Sequence, residues 1–194
     1  MNTDPYAILQ THLQSRAPLT TEECDMIISR FRLKKVKRKQ FIIQPEYVAK
    51  HRNYVVQGAL RAYVTDENGI DNTIQFAVED WWITDYNSYI YQQPATMFVT
   101  AIEDSLILQL DFESEKMLKA ANHKFETIFR IMAERTAAFQ QRRIISALTR
   151  TAKERYQDFA DRYPLVLNRL PQYALASYLG MSTEFLSKIR NNKV

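Results

Sequence analysis

The stretch LPQYALASYLGMSTEFLSKIR (residues 170–190) carries two short apolar stripes at helical spacing, joined at one glycine. Pro171 suits a first helical turn, and Leu175, Ala176 and Leu179 form the apolar face that follows it. Gly180 supplies the left-handed residue that ends this helix. Met181 follows, Ser182 reads as an N-cap, and Leu186 with Ile189 form the inner face of a second helix. Ala176 lets the two helices cross closely. The pattern is that of a helix-turn-helix, although a plain helix hairpin would show it too. Thr183, Glu184, Ser187, Lys188 and Asn191 point away from the packing stripe and have the polar chemistry that reads base edges in a major groove. Arg190 and Lys193 are placed to hold phosphates.

Charge distribution agrees with a polyanion partner for this part of the chain. The 194 residues have a net charge of +4. Residues 130–194 hold twelve Lys or Arg against five Asp or Glu, which is +7 and leaves −3 for residues 1–129. A solvated basic face without a partner is the plainer alternative. A second basic run, RFRLKKVKRK (residues 30–39), reads as the solvent face of an edge strand, where Lys discourages edge-to-edge pairing.

Upstream of the helix pair the periodicity changes twice. Pro5 can start a first helix, and Thr20 with Glu23 form a capping box that opens a second, with Met26, Ile27 and Phe31 as its apolar stripe. From about residue 33 to residue 110, β-branched and aromatic residues come in short runs: QFII, NYVVQ, LRAYVT, DNTIQFAV, TMFVTAI and SLILQL. Short strands with frequent turns imply a sandwich or barrel. In YVTDENGIDNTIQF (residues 63–76), Asn68-Gly69 is the pair expected at both centres of a type I′ hairpin turn, and Glu103-Asp104 marks another turn. Beyond Phe112 helical periodicity returns. Phe125, Ile128, Phe129, Met132 and Phe139 form one stripe on a helix of about 25 residues. Such a helix either lies along the β-domain or pairs with its copy, and the stripe is expected to be a dimer interface. Tyr156, Phe159 and Ala160 belong to a further helix that ends at Tyr163-Pro164.

Composition excludes several chemistries. The one cysteine, Cys24, is a helix-packing residue and rules out a disulfide framework, a four-cysteine iron–sulfur site and a CxxC zinc site. His12, His51 and His123 are far apart, so the clustered ligands of a cupin-like metalloenzyme are missing. No nucleophile, phosphate loop or paired acid stands out, and neither a metal site nor an enzyme is expected. With no charged-then-apolar leader and no run near the roughly 18 apolar residues of a membrane span, a cytoplasmic protein without membrane contact is expected.

The order of these motifs resembles the CRP/FNR transcription regulators over nearly the whole chain. VVQGALRAYVTDENGIDNTIQF (residues 55–76) looks like the Gly-Leu-Arg hairpin of that family's β-roll; AIEDSLILQLD, the long helix and PQYALASYLGMSTEFLSKIR follow in the family's order. The resemblance implies an α+β protein: a jelly-roll-like double-stranded β-helix of the cyclic-nucleotide-binding type with N-terminal helices (1–118), a long dimerisation helix (119–147) and a winged-helix-like helix-turn-helix domain (148–194). It implies a homodimer on a palindromic operator in double-stranded DNA, with RNA polymerase as a further partner. A DNA-independent interaction protein of the same fold is the alternative.

The departures concern the effector. Members that bind cyclic AMP carry Gly-Glu for the ribose and Arg-Ser or Arg-Thr for the phosphate. Here EDWWITDYNSYIYQQPATMFVTA (residues 79–101) has no Gly-Glu, and Pro94 or Ala95 stands where the arginine would be, with only Thr96 remaining. A buried phosphate without its guanidinium is poorly compensated, so cyclic AMP is not expected to bind unless Arg61 replaces that cation. Trp81, Trp82, Tyr86, Tyr89 and Tyr91 either fill the nucleotide's space or wall a pocket for another small effector, with Asp85 or Asn87 as polar anchors.

Overall fold

Proline has no amide hydrogen to leave unsatisfied, and helix α1 (Pro5–Gln14) begins on one, with the Asp4 carboxylate accepting from the Tyr6 amide. The computed structural model describes residues 4–191. Helix α2 (Thr21–Ile28) opens with the expected reciprocal capping box of Thr20 and Glu23. Ile27 and Phe31 are buried beneath it, whereas Met26 points to solvent, one position off the inward stripe.

Eight strands follow: β1 (Arg32–Val36), β2 (Phe41–Ile43), β3 (His51–Gln57), β4 (Leu60–Thr65), β5 (Asp71–Ala77), β6 (Trp82–Ile83), β7 (Phe98–Ala101) and β8 (Ser105–Asp111), with helix α3 (Tyr86–Tyr91) between β6 and β7. They form two antiparallel sheets of order β1-β8-β3-β6 and β2-β7-β4-β5. The basic run lies on β1, at an edge of its sheet. The β4–β5 turn differs from the expected type I′ form. Gly69 alone has positive φ there, and the strands are joined by residues 66–70, whose Asp66 side chain accepts from the Asn68 and Ile70 amides. The Asp66 carboxylate organises the loop, so Asn68 need not take a positive φ.

Strand β8 is largely buried on both faces of the first sheet, which explains the nearly continuous apolar run SLILQL. Ile107 and Leu108 point to opposite sides. Ile107 joins Val36, Val55, Leu60 and Val99 in a core between the sheets. Leu108, with Tyr54 and Leu110, enters a second core against Leu9, Leu13, Ile27 and Leu118.

Helix α4 (Phe112–Ala121), capped by Asp111, stops at Asn122, whose extended backbone starts α5 (His123–Thr149). The 27 residues of α5 divide in two. Phe125, Ile128, Phe129 and Met132 are buried in this chain's own second core, so the stripe expected to meet a partner is covered by the β-roll and α1 instead. An amphipathic stripe reports an apolar neighbour, not whose chain supplies it. Phe139 is half-buried, and beyond it Ile144, Ile145 and Leu148 are exposed.

Helices α6 (Ala152–Arg162), α7 (Pro164–Leu167), α8 (Gln172–Tyr178) and α9 (Thr183–Arg190) complete the chain. Among the described residues no strand follows β8, so these residues hold no strand of the wing expected of this unit. Ala59, Phe76 and Val78 of the roll share a third core with Phe159, Val166, Leu170, Ala174, Leu175 and Leu186. None of the helices described is long and apolar enough to cross a membrane.

One buried ion pair ties strands to helices. Arg52 Nη2 on β3 donates to Glu115 Oε1 on α4 at 2.9 Å, and its Nε lies 2.9 Å from Oε2 without hydrogen-bond alignment. The Tyr89 hydroxyl donates to Oε2 at 2.9 Å, and Lys119 Nζ sits 2.7 Å from Oε1. Glu115→Ala leaves an uncompensated guanidinium that is 3% exposed. Denaturant melts of this variant should show a loss of about 3–5 kcal/mol, whereas an unchanged midpoint would mean that the pair is not formed.

Candidate functional site

The α8–α9 turn is built by backbone geometry and one distant arginine. Gly180 has φ of 65°, and a Cβ there would meet nothing closer than Arg155 Nη2 at 3.8 Å, so the residue is needed for its left-handed backbone rather than for space. Met181 N donates to Ala176 O at 3.0 Å, and Ser182 Oγ accepts from Phe185 N at 3.1 Å. Pro171 is the residue before α8, not its first turn. Arg155 on α6 donates from Nε to Leu179 O at 2.8 Å and from Nη2 to Gly180 O at 3.2 Å, satisfying carbonyls that the end of a helix leaves open.

With Leu175, Ala176, Leu179, Leu186 and Ile189 buried, α9 turns Glu184, Lys188, Arg190 and Asn191 to solvent, and Thr183 and Ser187 lie half-buried at the margins. Asn191 Nδ2 donates to Ser187 O at 2.9 Å, so part of its hydrogen-bonding capacity is used within the helix end. The Glu184 pKa is lowered by its own backbone amide and by Ser182, which favours the carboxylate. Lys193 lies outside the described residues.

The opposite side of the pair is fastened to the roll. Ser177 Oγ accepts from Thr73 N and donates to Asp71 O, both at 2.8 Å. Arg143 on α5 donates to the carbonyls of Thr73 (3.1 Å), Tyr178 (3.3 Å) and Ile74, with its guanidinium 4.1 Å from the Tyr178 ring centroid. Arg169 forks onto Glu79 and also pairs with Glu103.

The expected effector residues separate into two groups. Trp81, Trp82 and Tyr86 line an open groove of about 720 Å³ between α1, β5, β6 and the middle of α5. Arg61 does not reach it: the side chain is buried, donates to Thr73 Oγ1 at 2.9 Å and Asp71 Oδ2 at 3.1 Å, and stacks on Tyr63 and Tyr173. Asp85 is fully buried and caps α3 through Ser88 N while holding Thr96 N, and the exposed Thr96 is outside the groove. Tyr89 belongs to the Arg52–Glu115 network, and Asn87 and Tyr91 are exposed. Among the described residues no three His, Cys, Asp or Glu side chains cluster as metal ligands.

No model of a protein family matches the sequence, and no curated protein matches it. Solved structures do. FixK2 from Bradyrhizobium japonicum is similar with a TM-score of 0.71 at 15% identity, over 84% of this chain and 83% of that one. A CooA mutant from Carboxydothermus hydrogenoformans is similar with a TM-score of 0.70 at 15% identity, over 99% and 84%. The c-di-GMP-responsive global regulator CLP from Xanthomonas campestris is similar with a TM-score of 0.65 at 11% identity, over 90% and 91%. The chain has the fold of CRP/FNR-type regulators.

The groove also contains a residue whose role sequence reading missed. His12 is buried on α1 and accepts from Trp82 Nε1–H at 2.9 Å through Nε2. Burial, then the charge of Arg16 and more weakly that of Arg135, push its pKa down to about 4 against the opposing pull of Asp80. The unfolded chain takes up this proton near pH 6.5, whereas the fold refuses it until about pH 4. Stability is therefore full above the higher value and falls as pH drops through that window, by about 2 kcal/mol at pH 5. His12→Gln keeps an acceptor for the indole and removes the titration. Urea unfolding at pH 7 and pH 5 should show a gap between the two conditions that is about 2 kcal/mol smaller for the variant; an equal gap would place the acid sensitivity elsewhere.

Proposed function

We propose that the chain is a transcription regulator that binds double-stranded DNA as a homodimer, each α9 entering a major groove and the two together reading a palindromic operator. The outer face of α9 carries this reading. Glu184, Lys188, Arg190 and Asn191 are exposed on a helix whose other side, through Leu186 and Ile189, is buried. Exposed polar side chains on a helix packed by its inner face are what base-edge readout requires. The +7 charge of residues 130–194 and the likeness to solved regulators support it. RNA polymerase is the further partner in this reading, the cytoplasm its setting, and a small molecule other than cyclic AMP its input.

The dimer contact in this reading moves to the second half of α5. Ile144, Ile145 and Leu148 are 60%, 52% and 80% exposed, and the spacing of four residues puts Ile144 and Leu148 on one face. Selection of bound duplexes from a random pool tests the whole reading: a palindromic consensus supports it, and no enrichment at low salt sinks it.

Leu148→Asp should leave the fold intact, because the side chain is mostly exposed within the protomer, and should give monomers in sedimentation. The same variant should bind a full operator far more weakly, because one half-site offers too few phosphate contacts. A dimeric Leu148→Asp would place the interface elsewhere.

Base readout has its own signature. Glu184 can only accept, which suits a cytosine amino group, whereas Lys188 can donate to guanine O6 and N7. Lys188→Ala should cost about 1–3 kcal/mol at a guanine-containing half-site and relax the preference at one base position. Arg190→Ala should weaken all sequences alike and flatten the salt dependence. Binding measured against every single-base change separates the two; uniform losses for Lys188→Ala would make it a phosphate contact.

A further inference from the structure

The groove beside Trp81 and Trp82 combines two features that packing alone does not account for. Its walls are apolar and flat, with Phe76, Phe139 and Tyr163 beside the two indoles. Its charge is one-sided: Arg16, Arg52 and Arg135 reach it against a single carboxylate, Asp80. Asp80 is engaged by the Tyr54 hydroxyl at 2.5 Å, and Arg52 is compensated by Glu115. Arg16 and Arg135 are left, two cations with Asp80 as the one carboxylate of the groove near them. Arg16 donates only to neutral oxygens, the His12 carbonyl and the Ser15 hydroxyl, and its Nε is buried without a hydrogen-bond partner. Arg135 is exposed and, among the described residues, makes no ion pair or hydrogen bond. Burial lowers the Arg16 pKa and the charge of Arg135 lowers it further, while Tyr54 and Asp80 pull the other way, as expected of two cations facing one opening against a single carboxylate.

We propose that this groove binds a small aryl anion, its flat ring seated against the indoles and Phe139 and its single carboxylate, sulfonate or phosphate held by Arg16 and Arg135. Aromatic walls suit a planar body, and guanidinium forks suit a planar or tetrahedral oxyanion. The groove's 720 Å³ falls within the roughly 300–1,000 Å³ usual for small-ligand sites. The proposal deepens the effector reading above and rests on it for its regulatory meaning, while binding itself is read without DNA.

Trp81 and Trp82 are the two tryptophans of the chain, so intrinsic fluorescence reports this groove directly. The probe is 8-anilinonaphthalene-1-sulfonate, and its uncharged counterpart of similar shape is N-phenyl-1-naphthylamine. The sulfonate should quench tryptophan emission saturably at one site per chain, about tenfold more tightly than the amine. The double variant Arg16→Gln, Arg135→Gln should lose about that factor for the sulfonate and keep its affinity for the amine. Arg135→Gln alone, at an exposed position, serves if melting shows the double variant to be unfolded. Equal affinity for the two probes, an equal change for both on substitution, or no binding of either overturns the proposal. Sulfonate binding in a protein that selects no duplex would sink the regulator reading and leave this one standing.

Discussion

The packing of Phe125, Ile128, Phe129 and Met132 against the outer face of the first sheet is the constraint from which the rest of the arrangement follows. Four large apolar side chains, each removed from water, contribute on the order of 1.5–3 kcal/mol apiece, enough to fix the start of α5 along β3 and β8. Once that end is fixed, a 27-residue helix must run about 40 Å. Its later turns therefore leave the sheet and carry Arg143, Ile144 and Leu148 beyond the second core. The groove and the attachment of the C-terminal helices both lie along this one helix, because Met132, Phe139 and Gln140 line the first and Arg143 makes the second.

Much of this was legible in local sequence. Thr20 with Glu23, and Gly180 followed by Ser182, announce helix ends because their partners lie within a few residues. The lysines of β1 mark an edge for a similarly local reason: a central strand could not solvate them. The β-branched runs between residues 33 and 110 likewise became strands nearly as read.

What escaped reading depends on partners far apart in the chain. Arg52 and Glu115 are 63 positions apart, Ser177 and Thr73 are 104, and nothing near either member announces the other. Arg61 illustrates the same difficulty. An arginine in the roll is a fair substitute for a phosphate-binding cation, but Asp71 and Thr73, across the hairpin, engage it and it does not line the groove. The periodicity of α5 gives an apolar face but not its cover, which for Phe125, Ile128, Phe129 and Met132 is this chain's own second core. For the candidate site, the outward residues of α9 were visible because their inward neighbours were; the Arg155 contacts that close the turn were not.

The groove and the helix pair are joined by more than α5. Trp81 meets Tyr163 edge-on at 5.3 Å, Tyr163 meets Phe159 at 5.3 Å, Phe159 meets Tyr178 at 5.6 Å, and Tyr178 lies beneath the Arg143 guanidinium. An aromatic file thus leads from the groove wall to α8, while Phe139 stands one helical turn from Arg143 on the parallel route. Contiguity of this kind transmits nothing unless some element along it has two stable positions. The contact between α8 and β5 has the make-up of such an element. Apart from one shared apolar core, it is held by hydrogen bonds from Ser177 and Arg143 and by the half-exposed pairing of Arg169 with Glu79 and Glu103. Each of those polar contacts exchanges for water at little net cost. The core around α5 and the first sheet, built from Phe125, Ile128, Phe129 and Met132 against Tyr54, Leu108 and Leu110, offers no such exchange.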